Sequence, residues 1–237
     1  MNNISTAVVT GANKGIGAHI AHQLAAAGLT VYVGSRDAER GQRAVERIGG
    51  DARLLVLDVT DQASIEAAAA RVETLDVLVN NAGIMVDGAA PPDTDVAAFR
   101  RTYETNVFGV LAVTNAFLPA LRRSAAPRIV NISSGTGSLA WSTGGGPITT
   151  VAGTGAAYRS SKAALNALTL YYAQALGEPF KVNALAPGLR RTDLNARAAT
   201  ADGDPAEAAA GAVHLALLPA DGPTGQFLSW DATVVPW

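Results

Sequence analysis

Tyr158 and Lys162 are the two residues of this chain whose types and spacing most directly suggest chemistry. They lie four positions apart in the segment Ala-Ala-Tyr-Arg-Ser-Ser-Lys-Ala-Ala-Leu, which has helical composition. Residues i and i+4 share one face of a helix, so a phenol and an ammonium group would meet there. A free tyrosine has a pKa of about 10, and a neighbouring cation lowers that pKa by favouring the phenolate. The pair is therefore a candidate proton donor, although the same spacing also occurs on ordinary helix faces.

A second candidate site lies near the start of the chain, where three glycines follow the first apolar segment. The segment reads Thr10-Gly11-Ala12-Asn13-Lys14-Gly15-Ile16-Gly17. Glycine allows a tight turn and a close approach of the backbone to a ligand, and the start of the following helix presents free N–H groups to a phosphate. The segment predicts a dinucleotide site, and the alternative is a strand-to-helix turn without a ligand. The residues expected to contact the cofactor here are Gly11, Asn13, Lys14, Gly15, Ile16 and Gly17.

The end of the second predicted strand indicates which dinucleotide would bind. It reads Ser35-Arg36-Asp37. A carboxylate at this point would bind the ribose 2′-hydroxyl of NAD, whereas a nearby arginine suits the 2′-phosphate of NADP. Ser35, Arg36 and Lys14 together favour NADP(H), and we interpret Asp37 as a helix N-cap instead of a ribose ligand.

Two further strand ends carry polar residues at the edge where open α/β sheets bind ligands. Asp58-Val59 follows the third predicted strand, where Asp58 would accept a hydrogen bond from an adenine amino group or hold the next turn. Asn80-Asn81-Ala82-Gly83 follows the fourth, where amides can tie down backbone and small residues leave room for a cofactor. We therefore expect Asp58, Val59, Asn81, Ala82 and Gly83 to line the dinucleotide site.

The elements that would position these residues alternate between apolar segments and Ala-rich helical ones. Strands are predicted at residues 6–10, 30–34, 53–57, 77–80, 128–132, 181–186 and 226–229. Helices are predicted at residues 15–28, 37–48, 62–73, 95–123, 157–176 and 205–218. Near-continuous apolar strands are typical of sheets covered on both faces, and the alternation predicts an α/β fold with a doubly wound parallel sheet. No internal boundary, repeat or long linker interrupts the pattern, so we expect one domain over residues 1–237.

The composition excludes several classes of function. A hydrophobic content of 49% and a charged content of 16% suit a folded domain, and the net charge of −2 predicts no nucleic-acid or membrane partner. The chain has no cysteine, and its three histidines are scattered, so we expect no metal site. No signal peptide and no apolar run of about 20 residues is seen, which predicts a cytoplasmic protein.

Taken together, these motifs resemble those of the short-chain dehydrogenase/reductase family, in its single-domain branch, over nearly the whole chain. Further matches are Asn106 in Glu104-Thr105-Asn106-Val107, the motif Ile132-Ser133-Ser134, the pair Tyr158 and Lys162, and Pro187-Gly188 with Thr192. Asn13-Lys14, Ser35-Arg36 and Gly222-Pro223-Thr224-Gly225-Gln226-Phe227 resemble NADPH-dependent carbonyl reductases and plant ketone reductases of menthone and salutaridine type. The gap between Ser134 and Tyr158 is longer than in the basic family pattern and shorter than in those relatives.

The resemblance implies hydride transfer between the nicotinamide of NADP(H) and a carbonyl carbon. It implies that Tyr158 donates the proton, that Lys162 lowers its pKa and binds the nicotinamide ribose, and that Ser134 holds the substrate oxygen. Asn106 would anchor a water molecule of a proton relay. Ser133 is the alternative for the serine role.

The segment after the sixth predicted strand would complete the site. The resemblance places the nicotinamide amide at the backbone of Leu189 and the hydroxyl of Thr192, beside Pro187 and Gly188. The polar residues 191–204 that follow are a candidate lid.

Large side chains near the predicted site each have two alternative roles. Arg190 and Arg191 follow the Pro-Gly pair, where they would contact an anionic substrate or a cofactor phosphate or be solvated, and solvated charges are the favoured interpretation. Trp141 belongs to the Gly- and Thr-rich loop 138–155, where it would form a pocket wall or anchor the loop.

The predicted function is NADPH-dependent reduction of a ketone or aldehyde to an alcohol, with a small-molecule carbonyl substrate. The alternatives are an NADP-dependent alcohol dehydrogenase working in the oxidative direction, an epimerising step on a sugar, and a non-catalytic dinucleotide-binding regulator. The presence of Ser134, Tyr158 and Lys162 together argues against the regulator. Family members commonly pair through the two long helices, so a homodimer or homotetramer is expected, and a monomer is also compatible.

Overall fold

The computed structural model describes residues 5–145 and 153–237, which form a parallel sheet with helices on both faces. Within these residues seven strands run in the order β3-β2-β1-β4-β5-β6-β7, and every neighbouring pair is parallel. The strands are β1 (Thr6–Val9), β2 (Thr30–Ser35), β3 (Ala52–Val56), β4 (Val77–Asn80), β5 (Arg128–Ile132), β6 (Lys181–Ala186) and β7 (Phe227–Ser229). The predicted α/β fold with a doubly wound sheet is confirmed.

The strand order creates a crevice at one edge of the sheet. β1 lies between β2 and β4, so the chain proceeds outward from β1 to β3 and then returns to the other side of β1. Loops leave the carboxyl ends of β1 and β4 in opposite directions, and open α/β sheets bind ligands at such a switch point. The glycine loop and the Asn-Asn-Ala-Gly motif follow these two strands.

The helices begin where the sequence supplies caps. They are α1 (Gly15–Ala26), α2 (Ala38–Ile48), α3 (Gln62–Ala69), α4 (Val96–Tyr103), α5 (Gly109–Leu121), α6 (Ala156–Leu176), α7 (Ala196–Ala199) and α8 (Pro205–Ala216). Asp37, Asp61, Asp95 and Asp204 cap α2, α3, α4 and α8, and each side chain accepts a backbone N–H. The N-cap of α1 is Lys14, which makes no side-chain capping bond. The first N–H groups of α1 therefore lack a side-chain acceptor.

Both faces of the central strands are buried, as the apolar runs predicted. Ala7 and Val9 pack with Ile20 of α1 on one face, while Val8 packs with Phe117 of α5 on the other. Burying a large apolar side chain contributes about 1.5–3 kcal/mol, so these layers hold β1 firmly beneath the glycine loop.

The helix predicted at residues 95–123 differs from the structure in one respect. A π-helical turn at Glu104–Phe108 separates α4 from α5. A Cβ atom on Gly109 would lie 2.6 Å from the carbonyl oxygen of Val59, so the helix and the loop after β3 approach very closely here. Such turns occur frequently at functional sites, and this one contains Asn106.

Two smaller differences concern α3, which ends at Ala69 instead of residue 73, and the short α7, which was not predicted. None of the helices within residues 5–145 and 153–237 is long and apolar enough to cross a membrane.

Candidate active site

A cleft of about 440 Å³ opens at the carboxyl edge of the sheet. It is lined by most of the residues predicted to contact a dinucleotide: Gly11, Asn13, Lys14, Gly15, Ile16, Gly17, Ser35, Arg36, Asp58, Val59, Asn81, Ala82, Gly83, Tyr158, Lys162, Pro187 and Thr192. Gly188 and Leu189 are not among its lining residues. Gly188 lies against the ring of Trp230, and the side chain of Leu189 is largely exposed.

The glycine loop is shaped by its backbone and by Asn81. Gly11 and Gly15 have φ angles of 63° and 56°, a region that side chains rarely adopt. The Asn81 amide donates to the carbonyl oxygens of Thr10 at 2.9 Å and Gly11 at 3.2 Å. A Cβ atom on Gly17 would collide with this amide, so the loop and the fourth strand end fit only around glycine. The uncapped start of α1 lies directly beyond the loop and suits a phosphate.

The end of β2 forms a basic part of the cleft. Arg36 is exposed and makes no ion pair with the described residues, whereas Arg40, which also lines the cleft, pairs with the Asp37 carboxylate at 3.2 Å. The Asp37 carboxylate caps α2 by accepting the backbone N–H of Arg40 at 2.9 Å, a bond that lowers the pKa of Asp37. The Ser35 hydroxyl donates to the carbonyl oxygen of Asp37 at 2.7 Å. This region therefore offers the unpaired guanidinium of Arg36 to a ligand, while the nearest carboxylate is engaged by the helix cap and by Arg40.

Sequence reasoning missed Arg40 as a lining residue. Its signal was a second basic residue in the first turn of α2, three positions after the cap. Asp58 lines the cleft as predicted, and its carboxylate also holds the next turn by accepting from Thr60 at 2.9 and 2.7 Å.

Tyr158 and Lys162 occupy the other end of the cleft, one turn apart on α6. The Lys162 Nζ atom lies 5.7 Å from the centroid of the Tyr158 ring and donates to the carbonyl oxygen of Ile132 at 2.8 Å. A Cβ atom on Gly83 would lie 3.5 Å from this Nζ, so the lysine abuts the end of β4. The i, i+4 pairing predicted from the sequence thus brings both groups to the cleft.

Burial governs the pKa values of this pair. Burial raises the pKa of Tyr158 to about 12, and a hydrogen bond with the Ser134 side chain opposes that rise. Burial lowers the pKa of Lys162 to about 8. In the protein without cofactor the pKa of the phenol is therefore raised and not lowered as the spacing predicted, because loss of water around the phenolate outweighs the contribution of Ser134.

The two serines after β5 point in different directions. The Ser133 hydroxyl is buried and donates to the Asn166 side chain at 2.5 Å, so it holds the strand end against α6. The Ser134 side chain instead acts on Tyr158, whose pKa it lowers, and it also bonds with the Thr136 hydroxyl at 2.8 Å and accepts the backbone N–H of Thr136 at 3.2 Å. Although Ser133 contributes to the cleft wall, Ser134 is the serine whose side chain acts on the phenol and lowers its pKa.

Asn106 is fully buried behind this end of the cleft. Its side chain donates to the carbonyl oxygen of Ile84 at 2.9 Å and to the Ser161 hydroxyl at 3.0 Å. Its Oδ1 atom accepts the backbone N–H of Ile84 at 2.9 Å. Asn106 thereby fixes the chain after β4 to the π turn and α6, close to Lys162.

Residues 189–204 extend from β6 across the mouth of the cleft. At their base, Arg190 is buried, contrary to the favoured interpretation as a solvated charge. Its guanidinium pairs with Glu207 at 2.6 Å, donates to the carbonyl oxygen of Pro187 at 2.7 Å and stacks 4.2 Å from the ring of Trp230. Arg190 therefore attaches the loop after β6 to α8 and to the chain after β7.

Trp141 acts as a loop anchor and not as a wall of the cleft. It packs against the buried cluster of Ala184, Ala186, Phe227 and Val235, and it is absent from the described cleft lining. The predicted loop 138–155 includes residues 146–152, which lie outside the described residues.

Comparison with known proteins gives consistent results. The sequence pattern of the short chain dehydrogenase family matches residues 5–203. Salutaridine reductase from Papaver bracteatum is 34% identical over 93% of this chain and 93% of its own, and (+)-neomenthol dehydrogenase from Arabidopsis thaliana is 36% identical over 94% and 95%. The solved structure of an NADPH-bound carbonyl reductase from chicken fatty liver has a TM-score of 0.84 at 30% identity and covers 100% of both chains. These similarities extend over the whole cleft.

Proposed function

Because the chain belongs to the short chain dehydrogenase family, we propose that it uses NADP(H) to reduce a ketone or aldehyde to an alcohol. One observation carries the proposal. Tyr158, next to Ser134 and one helical turn from Lys162, lies in the same cleft as a glycine loop and a basic strand end.

Each residue at the Tyr158 end has a role in this reaction. NADPH, when bound, supplies a hydride to the carbonyl carbon. Tyr158 donates its proton to the carbonyl oxygen, and Ser134 donates a hydrogen bond that stabilises the charge developing on that oxygen. Lys162 binds the nicotinamide ribose, and Asn106 keeps the chain after β4 in place and anchors the relay water.

The protonation state of Tyr158 is compatible with the reduction. Burial raises the pKa of the phenol to about 12, so it is protonated throughout the neutral range in the protein without cofactor. The protonated phenol is the form that a general acid needs for carbonyl reduction, and the same group would take the proton back in the reverse reaction.

The basic strand end supports NADP(H) over NAD(H). Arg36, Arg40 and Lys14 all line the cleft, whereas the Asp37 carboxylate caps α2. Guanidinium groups form paired, charge-assisted hydrogen bonds with a phosphate. A ribose 2′-hydroxyl is neutral and does not form such a charged pair. The NADPH named with the chicken carbonyl reductase agrees with this assignment.

The test is NADPH consumption against a panel of ketones and aldehydes by wild type, Tyr158→Phe and Tyr171→Phe. Loss of the general acid should lower kcat by about 10²–10⁴-fold while NADPH still binds. Tyr171 lies on the same helix with 61% exposure and lines no part of the cleft, so its variant should match wild type. Equal rates for Tyr158→Phe and wild type would refute the role of the phenol, and NADPH binding without turnover of any carbonyl would favour the regulator.

The cytoplasmic location, the single domain over residues 1–237 and the homodimer or homotetramer stay predictions.

A further inference from the structure

Lys14 connects the two sides of the cleft mouth. Its Nζ atom donates to the Oδ2 atom of Asp193 at 2.6 Å. Lys14 belongs to the glycine loop, whereas Asp193 belongs to residues 189–204, and both line the cleft. The bond lowers the pKa of Asp193, so the carboxylate is charged at neutral pH.

Residues 189–204 are fixed at their base and make polar contacts with the cleft rim farther along the segment. At the base, Arg190 is buried and the Arg191 backbone N–H donates to the carbonyl oxygen of Gly203 at 2.9 Å. Towards the tip, the Asn195 amide contacts the Met85 sulfur at 3.1 Å. Among the described residues, the Lys14–Asp193 bridge is the one ion pair that joins this segment to the glycine loop.

The Lys14–Asp193 bridge is weak enough for a phosphate to replace Asp193 as the partner of Lys14. The side chains of Lys14 and Asp193 are 59% and 65% exposed, and exposed ion pairs contribute at most about 1 kcal/mol. A phosphate dianion beside Lys14 would attract the ammonium more strongly than one carboxylate does. It would also repel the charged Asp193 across the same cleft.

We propose that Asp193 competes with the 2′-phosphate of the nucleotide for Lys14, and so selectively weakens the binding of 2′-phosphorylated nucleotides. This inference rests on the proposed NADP(H) function. Asp193 is then a specificity-determining residue, because it limits the preference for NADP(H) over NAD(H) that Lys14 and Arg36 produce. It also links nucleotide binding to the contact between residues 189–204 and the glycine loop.

The test measures nucleotide binding by calorimetry with two probes, adenosine 2′,5′-bisphosphate and 5′-AMP, which differ only in the 2′-phosphate. Asp193→Asn should tighten the first probe about two- to fivefold, the range expected for an exposed pair, and leave the second unchanged. In a Lys14→Met background, where no ammonium is shared and only the direct repulsion of the phosphate by Asp193 is left, the same substitution should have a clearly smaller selective effect. Asp202→Asn is the matched control, because Asp202 is an exposed carboxylate of the same segment without an ion pair among the described residues.

The outcomes separate this inference from the proposed function. Equal affinity of wild type for both probes would refute the NADP(H) preference and the inference together. A clear wild-type preference for the 2′-phosphate with no change in Asp193→Asn, or with the same change in Asp202→Asn, would refute the role of Asp193 alone.

Hydrogen exchange gives a second readout that needs no ligand. Removing the bridge should speed amide exchange in residues 189–204 for Asp193→Asn and not for Asp202→Asn. Identical exchange in wild type and both variants would show that the bridge does not hold the segment, and would overturn the inference.

Discussion

Replacing Arg190 by methionine should destabilise the protein by about 2–4 kcal/mol. Arg190 is 7% exposed, and methionine fills most of its volume, so the loss arises from polar contacts and not from a cavity. The half-buried carbonyl oxygen of Pro187 would lose its charged donor, and hydrogen bonds to charged groups contribute about 1.5–3 kcal/mol. The pair with Glu207 adds at most about 1 kcal/mol because the Glu207 side chain is 53% exposed. Stacking on Trp230 adds about 0.5–1 kcal/mol, part of which methionine retains.

Urea unfolding is the appropriate assay, with Arg191→Met and Glu207→Gln as controls. Arg191 is exposed and next in sequence, so its variant should stay within about 0.5 kcal/mol of wild type. Glu207→Gln removes only the half-exposed charge and should cost less than about 1 kcal/mol. Because Pro187 lines the cleft, Arg190→Met should also raise the KM for NADPH more than it lowers kcat.

The reasoning would be refuted if Arg190→Met unfolded at the same urea concentration as Arg191→Met. That result would mean that Pro187 finds another donor and that the buried guanidinium makes no net contribution. Equal losses in the Arg190 and Glu207 variants would instead assign the whole effect to the ion pair.

Two further predictions concern the Tyr158 end of the cleft. The pKa of Lys162 is about 8 in the folded protein, whereas its ordinary value is 10.5. Between these two pH values the unfolded chain binds more protons than the folded protein does. The free energy of unfolding should therefore rise as the pH increases from about 8 to 10.5. Urea titrations at pH 7.5 and 10 should show this gain in wild type and not in Lys162→Met; a parallel gain in both would contradict it. Ser134→Ala should lower kcat about 10–100-fold with little change in stability, whereas Ser133→Ala, which loses a buried bond to α6, should cost about 1 kcal/mol of stability. Steady-state kinetics and urea unfolding of both variants check this, and the opposite assignment would make Ser133 the substrate-binding serine.

Local patterns in the sequence were sufficient to predict the parallel sheet and to place most of the residues that line the cleft. The apolar runs at β1 and β4 predict strands buried on both faces, and the glycine loop and Asn81 follow those strands directly. The cap at Asp37 was also predictable, because an aspartate before a helical pattern has one common role.

What could not be predicted depends on residues far apart in the sequence. Arg190 follows a Pro-Gly pair and looks solvated, but its burial depends on Glu207 and Trp230, which come later in the chain. Lys14 and Asp193 are separated by 179 positions, so nothing local indicates their pairing.

The phenol of Tyr158 shows a second kind of limit. Spacing correctly placed a cation on the same helix face, and a cation does favour the phenolate. The sequence could not show that the ring would be so deeply desolvated that its pKa rises instead. The depth of burial is a property of the whole fold around α6.

The π turn at Glu104–Phe108 limits how the length of this helix can change during evolution. Each residue of an α-helix rotates the side-chain direction by about 100° around the helix axis. The π turn contains one residue more than a regular α-helical turn. Deleting a residue here would restore ideal helical geometry but turn Asn106 away from Ile84, and inserting one would force a second bulge against Val59. The number of residues in the segment should therefore stay constant, while an exposed position such as Phe108 accepts exchanges of side-chain type.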